Sequence, residues 1–475
     1  MIEFFRGIGA NIFRTVFLAL SIAVMLNVNQ SFAKKEMKAF SYMEKSASSS
    51  TRSQPVLSNV NANSAKVASQ DGVESWRIIL NGQLSGLGIG DELQLPLPSG
   101  EILKSTIKSR KELSGGGVQF RASLNYGDVV LTVGKSGVTY SSITSMVGSL
   151  NLTIGLNDKQ EQVLMDQDTL PIGSIDFTGD MVETKDQPSG KPEELNQITS
   201  EPVTQAVIAE DSIDGKTNLD ILFIHSPEFA QTFVDPQARI EQLIGFSNTA
   251  YDNSGILINM RAAAIVELDI NNDDSALNLL NDAQRGVASE GFGSVADLRN
   301  QFGADLVTVL TSRNDNGANG VAFVGSNLAS FGFSSTKLST RCCDLIFTHE
   351  IGHNLGSGHQ RQELNLNNIS PCTGGFTGFS CGHALNNGNT NVWGTIMSSG
   401  ASIMRNSLFS NLSLDCQGSP CGIAQGQPGA ADNQTSFNQS ILTISQFRDE
   451  VLPSPTSSED DILFYVLPLL NAIRE

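Results

Sequence analysis

The sequence predicts an α/β (α+β) domain with a mixed sheet, standing behind a mostly β region. Three observations carry that reading. Between Lys216 and Leu452, apolar runs of strand length alternate with stretches of helical spacing, the pattern of a sheet covered by helices. From Trp76 to about Ile175 the text is short alternating runs punctuated by Gly, Asn and Asp, as in a β-meander or sandwich. Polar stretches set these two regions apart.

The N-terminus places Arg6 and Arg14 ahead of an apolar run from Val16 to Val28, followed by Ser31-Phe32-Ala33 as a small-x-small cleavage site. This predicts a secretory signal peptide over 1–33; an uncleaved anchor is disfavoured by the short apolar core. Residues 34–72, with "SASSSTRSQPVLSNVNANSAKVASQ", read as a polar linker. Residues 73–180 are the β-rich region, with "WRIIL", "VQFRASL", "DVVLTV", "VTYSSI" and "LNLTIGL" as its strands. Residues 181–215 contain "ETKDQPSGKPEE" and read as an exposed linker suited to processing.

Residues 216–452 turn to α/β. "LDILFIHS" is a buried strand, and Asp235-Pro236 opens a helix with an N-cap and a proline at the first helical position. Ile240, Leu243, Ile244, Ser247 and Tyr251 follow it at helical spacing. "ILINMRAAAIVEL" and "ADLVTVLTS" are strands, "DSALNLLNDAQRG" and "VADLRNQF" helices, and "GVAFVG" a short strand. "ADNQTSFNQSILTISQFRDEV" supplies a closing helix, with Ile441, Ile444, Phe447 and Val451 near helical spacing. The tail, 453–475, holds a short apolar run interrupted by Pro468, too short to span a bilayer.

The chemistry concentrates in "FTHEIGHNLGSGHQ", Phe347 to Gln360, which holds three of the chain's five histidines. His349 and His353 are four residues apart and share one face of a helix, so they can grip a single metal ion. Glu350 points about 100° round the helix, where it reaches a metal-bound water without being a ligand. In a continuing helix His359 would lie roughly 9 Å further along and out of reach. Gly356 can take a positive φ, end the helix and turn the chain so that His359 becomes the third ligand. Three protein ligands leave a fourth zinc position open, the mark of a catalytic site.

These residues resemble the HExxHxxGxxH pattern of the metzincin zinc peptidases, complete at His349, Glu350, His353, Gly356 and His359. "WGTIMSSG" resembles the methionine turn of that clan and makes Met397 the residue beneath the zinc; Met404 in "SIMRNS" is the competing choice. "HEIGHNLGSGH" is most similar to the reprolysin (adamalysin-like) group, with Asn354, Leu355 and Gly356 after the second ligand. Gln360 stands where astacins carry a glutamate.

The resemblance implies a metzincin-like catalytic domain with a zinc helix, and with "GVAFVG" as the exposed sheet edge to which an extended substrate adds. It implies a secreted zinc endopeptidase with Glu350 as general base and a latent precursor whose pro-region is 73–180. Phe177 to Asp180 resemble the FxGD motif by which astacin pro-regions place an aspartate on zinc, so Asp180 is the candidate latency ligand. The competing reading makes it an ordinary turn residue.

Composition narrows the partners. Asp plus Glu number 49 against 30 Lys plus Arg, a net charge of −19, so no basic surface is expected for nucleic acid. Protein or peptide substrates are the expected partners, and no membrane span is expected in the mature chain. One Zn2+ is the expected cofactor; a Ca2+ requirement is not readable. All six cysteines lie from Cys342 onward and predict disulfides. Cys416 with Cys421 and Cys372 with Cys381 are near enough to close small loops, adjacent Cys342 and Cys343 are awkward to bridge, and the pairing stays open. His383 reads as a loop histidine, His225 as a packed one, and Glu363 as a weaker rival to His359 for the third ligand place. The alternative to an enzyme is a catalytically inactive metzincin-like binding or adhesion module.

Overall fold

The structure, a computed structural model, describes residues 34–43, 62–67, 72–145, 150–169, 180–182, 215–312, 319–325, 328–340, 344–361, 363–365, 368–369, 372, 377–386, 391–399, 404–416 and 418–451. The signal-peptide reading of 1–33, the FxG part of the latency motif, the processing stretch from 183 to 214, the pair Cys342-Cys343 and the tail lie outside these residues.

The N-terminal region is one curled sheet, antiparallel except where its first strand pairs in parallel with its fifth. Its strands are β1 (Glu36–Lys38), β2 (Phe40–Tyr42), β3 (Lys66–Val67), β4 (Glu74–Leu80), β5 (Glu92–Pro96), β6 (Ile102–Glu112), β7 (Gly117–Leu124), β8 (Gly127–Gly134), β9 (Thr139–Ser145), β10 (Asn151–Leu156) and β11 (Gln162–Asp166). A single turn of helix, α1 (Ala62–Ala65), precedes β3. From β5 to β11 each strand pairs with the next, β11 returns to β4, and β4 to β2. β1 pairs with β5 at one end while β2, one residue later, pairs with β4 at the other, so residues 36–42 draw the two ends together. The linker reading of 34–72 is therefore corrected at its edges. Strands of two or three residues are too short for alternation to show, yet Ala39 and Phe40 are fully buried.

Alternation decides the two faces of this sheet. Phe120, Leu131 and Ile143 point into its core, while Gln119, Thr132 and Ser142, one position away, point outward.

The second sheet runs β12 (Met181–Val182), β16 (Gly320–Phe323), β17 (Phe333–Leu338), β15 (Leu306–Ser312), β13 (Thr217–His225), β14 (Ile258–Glu267). β13 to β15 and β17 pair in parallel, and β16 runs antiparallel to β17, which makes the sheet mixed. β13 is apolar almost throughout because both its faces are covered: Ile221 and Phe223 enter one core and Leu222 and Ile224 the other. β17, "FSSTKL", carries no apolar run, so the sequence reading passed over it. It is nonetheless buried throughout, with the Ser334 hydroxyl donating to Thr308 Oγ1 at 3.0 Å.

α2 (Pro227–Phe233) and α3 (Pro236–Asn253) follow β13. Asp235 caps α3 by accepting from Ala238 N–H at 3.0 Å, an interaction whose loss typically costs about 1 kcal/mol. One side of α3 packs on the second sheet and the other takes the outward face of β7 to β9. α4 (Ala276–Arg285) and α5 (Val295–Gln301) cover the opposite face of the second sheet. α6 (Asp344–Asn354) carries the histidine motif, and α7 (Asn433–Ile444) closes the domain. α7 ends before Phe447 and Val451, which the spacing had placed on it. Asp432 caps its start, accepting from Thr435 N–H at 3.1 Å. Among the described residues, no helix is long and apolar enough to cross a membrane. Among the described residues two disulfides are present, Cys372–Cys381 and Cys416–Cys421.

Candidate metal centre

α6 supplies His349, Glu350 and His353, all fully buried. The helix stops at Asn354, and Gly356 takes φ +97°, a left-handed conformation that glycine adopts without a Cβ clash. Ser357 N–H then bonds back to Gly352 C=O at 3.0 Å, and the reversed chain brings His359 to the other two rings. The three ring centroids lie 4.7, 4.9 and 5.2 Å apart.

The fourth member comes from far upstream. Asp180 is fully buried, with Oδ2 3.3 Å from His349 Nε2 and Oδ1 3.1 Å from His359 Nε2 and 3.9 Å from His353 Nε2. The candidate ligand atoms of all four residues lie within 4.8 Å of one another. Tetrahedral zinc with bonds of about 2.0–2.1 Å needs ligand atoms roughly 3.3–3.4 Å apart, so the cluster has the right size.

Its hydrogen bonding points the same way. His349 Nδ1 lies 2.7 Å from Ile396 C=O, and His353 Nδ1 lies 2.7 Å from Ser357 C=O. Each Nδ1–H donates to a carbonyl, which leaves the Nε2 lone pairs facing inward. His353 Nε2 and both Asp180 oxygens have no hydrogen-bond partner among the described residues. The carboxylate sits at ion-pair distance from the rings. Lone pairs facing lone pairs in a dry site repel unless they share a cation, and three imidazoles with one carboxylate suit zinc.

Burial favours the neutral ring of His349 and, more strongly, of His353, the form that ligates a metal. Burial alone would raise Asp180, but its contacts with His349 and His359 outweigh it and hold the carboxyl well below the usual range. Burial, with the Asp180 charge added, pushes Glu350 well above its ordinary value.

Met397 packs against α6 at Gly352. It is fully buried in the turn closed by Ser398 N–H to Thr395 C=O at 2.9 Å. A Cβ added to Gly352 would lie 2.3 Å from its sulfur, so the helix rests directly on this residue. The neighbouring Ile396 carbonyl is the one that orients His349. Met404 instead sits in the short strand β22 (Met404–Arg405), the strands β18 to β21 being Glu363–Asn365, Asn368–Ile369, Ala384–Asn386 and Asn391–Gly394.

Asn354 and Gln360 entered the sequence reading only as marks of the family resemblance, and their positioning roles were not read there. Asn354 Nδ2 donates to Phe323 C=O and Phe333 C=O, each at 2.9 Å, clamping the end of α6 to β16 and β17. Gln360 pairs with the Ser399 main chain, accepting from its N–H at 2.6 Å and donating to its C=O at 2.8 Å. Both bonds join segments remote in sequence, and no local pattern signals them. His383 is half-buried and tied through its main chain to Thr395; His225 is buried with Nδ1 3.0 Å from Ser226 C=O.

β12 runs parallel to β16, its carbonyls accepting from the sheet edge: Ala322 N–H to Asp180 C=O at 2.8 Å and Val324 N–H to Val182 C=O at 3.1 Å. The first residues of the stretch read as linker are thus a strand on the edge expected for "GVAFVG".

Residues 217–410 match a reprolysin-type model described as metallo-peptidase family M12. A Pseudomonas aeruginosa protein, "Peptidyl-Asp metalloendopeptidase", is 27% identical over 267 residues, covering 50% of this chain and 41% of the relative. The chain therefore spans less than half the length of that relative. One solved structure, "Structure of a chaperone-substrate complex", overlaps 50% of this chain and 35% of its own with TM-score 0.37 and 19% identity.

Proposed function

We propose, from the premise that residues 217–410 are a reprolysin-like metallopeptidase domain of family M12, that this chain is a secreted zinc endopeptidase made as a latent precursor. The observation that carries the reading is the convergence of the buried His349 and His353 with the partly buried His359, and with Glu350 on the helix of the first two. The three histidines would hold zinc, which when bound supplies Lewis acidity to water and to a peptide carbonyl. Glu350 takes a proton from the attacking water as its oxygen bonds to the carbonyl carbon. It then hands that proton to the leaving nitrogen as the C–N bond breaks. The main-chain donors of Ala322 and Val324, which β12 now occupies, would take the substrate backbone.

Asp180 is the latency ligand in this reading. Its carboxylate fills the position that substrate and water need, and β12 covers the sheet edge at the same time. Export fits the two described disulfides and the N-terminal 1–33 pattern. The relative's name adds one expectation, a preference for peptide bonds at aspartate.

The test uses the full chain with Asp180→Ala, offered peptides with and without aspartate and followed by mass spectrometry. Cleavage is expected, and Glu350→Gln in that background should lower it by roughly 10²–10⁴-fold with metal content unchanged. Normal turnover by a metal-loaded Glu350→Gln protein removes Glu350 as base. A metal-loaded chain that cleaves nothing hands the reading to the inactive binding module.

A further inference from the structure

We infer that Gly320, the first residue of β16, is the positioning residue that sets where the Glu350 carboxylate sits. The inference rests on the reading of Glu350 as the base and goes beyond it. A Cβ placed on Gly320 would lie 2.3 Å from Glu350 Oε1, 2.6 Å from Cδ and 2.7 Å from Cγ. Those distances reach down the side chain, so a tilt of the carboxylate alone does not relieve them. Glu350 is fully buried, which leaves it little space to withdraw into.

Neither of its oxygens has a hydrogen-bond partner among the described residues. A general base needs those oxygens free for water and substrate, so hydrogen bonds to protein cannot fix its position. Packing has to do so, and the bare Cα of Gly320 is the wall on one side. Backbone conformation does not explain this glycine, because its φ lies outside the positive range. It is paired in regular antiparallel register with Thr336. Space is the remaining reason. The same strand presents Ala322 N–H to an extended chain, so one short element positions both the base and the peptide it acts on.

The experiment is a pair of double-variant cycles in the full Asp180→Ala chain. In the activity cycle, Gly320→Ala should lower kcat by about 100-fold, the scale of a displacement near 1 Å, with KM within about twofold and metal content unchanged. Aspartate is one methylene shorter, so Glu350→Asp withdraws the carboxylate from its reacting position whichever residue stands at 320. Gly320→Ala should therefore cost little further in the Glu350→Asp background although it costs much alone, a non-additivity that a merely structural glycine does not produce.

The stability cycle needs no activity. Gly320→Ala should lower the thermal midpoint when Glu350 is present and leave it unchanged in the Glu350→Ala background. It decides the matter even if Gly320→Ala alone fails to fold. An equal loss of stability in both backgrounds, or a metal-loaded Gly320→Ala protein with normal kcat, overturns the inference. If instead Glu350→Gln is active, the general-base reading fails while the stability cycle still tests the contact.

Discussion

Asp180 meets the histidines because the residues after it are held as a strand: the hydrogen bonds to Ala322 and Val324 fix its main chain, and burial leaves its carboxylate one direction to face. In the latent precursor we propose, Asp180 would compete as a tethered ligand at high effective concentration and exclude substrates at ordinary concentration. Asp180→Ala in the uncut precursor should raise peptide cleavage by on the order of 10²-fold. Initial rates of the two uncut proteins, matched for metal content, check this. Equal rates would make Asp180 a turn residue that happens to lie near the cluster. At this scale the three histidines and Glu350 were legible because they lie on one helix and the turn after it. The roles of Asn354 and Gln360 were not, since what each one holds is a carbonyl or amide from a segment the local spacing does not mention.

Where β15 leaves α5, a buried carboxylate and a buried guanidinium share one end of the second sheet. Asp305 accepts from Asp220 N–H at 3.0 Å, and Arg299 donates to Ala329 C=O at 2.7 Å and Ala304 C=O at 3.1 Å. Burial, reinforced by the Asp220 charge, pushes the Asp305 carboxyl up to about 7. A carboxyl raised on folding binds its proton more tightly in the native state, so its contribution is favourable at low pH and is lost as pH rises from about 4 to about 7. Asp305→Asn keeps an acceptor for Asp220 N–H but cannot ionise. The wild type should lose on the order of 2–4 kcal/mol more than Asp305→Asn between pH 4.5 and pH 8. Urea unfolding of both proteins at the two pH values measures the difference, and parallel losses would contradict the assignment. Element identity was readable here from the apolar runs of β13 and β15. β17 was not, because its polar side chains are buried by partners on other strands.

The curled sheet sits on α3 through a series of hydrogen bonds and ion pairs. Lys111 meets Glu241 at 2.9 Å, Thr132 donates to Gln242 Oε1 at 2.8 Å, and Gln119 donates to Glu241 C=O at 2.6 Å. Arg121 pairs with Asp252, and Ser142, Gln242 and Arg239 all converge on Asp344 at the start of α6. The ion pairs that cross, Lys111–Glu241 and Arg121–Asp252, are partly exposed and each contributes about 0–1 kcal/mol, so many small terms together hold the sheet, while the buried Arg239–Asp344 pair joins α3 to α6. Cutting the chain once between 183 and 214 should leave the two fragments together, with Asp180 still beside the histidines and peptide cleavage still low. Gel filtration of the cut protein at low and high salt, with activity read across the peak, is the check. Separation at low salt would mean that the interface is too weak to retain the fragment.

Local chemistry is what the sequence by itself determined. Helical spacing put His349 and His353 on one face, a glycine turned His359 toward them, and short cysteine separations allowed the two disulfide loops, all within a few residues of chain. The alternation of apolar runs likewise declared an α/β region behind a β region. Only the tertiary structure decided which distant segments meet. It set Asp180 among the histidines, β12 on the edge of β16, Gly320 against Glu350 and the outer face of β7 to β9 on α3. The physical reason is that period and propensity act over one or two turns of backbone. Pairing of remote segments depends instead on buried contacts that form only when both cores are assembled.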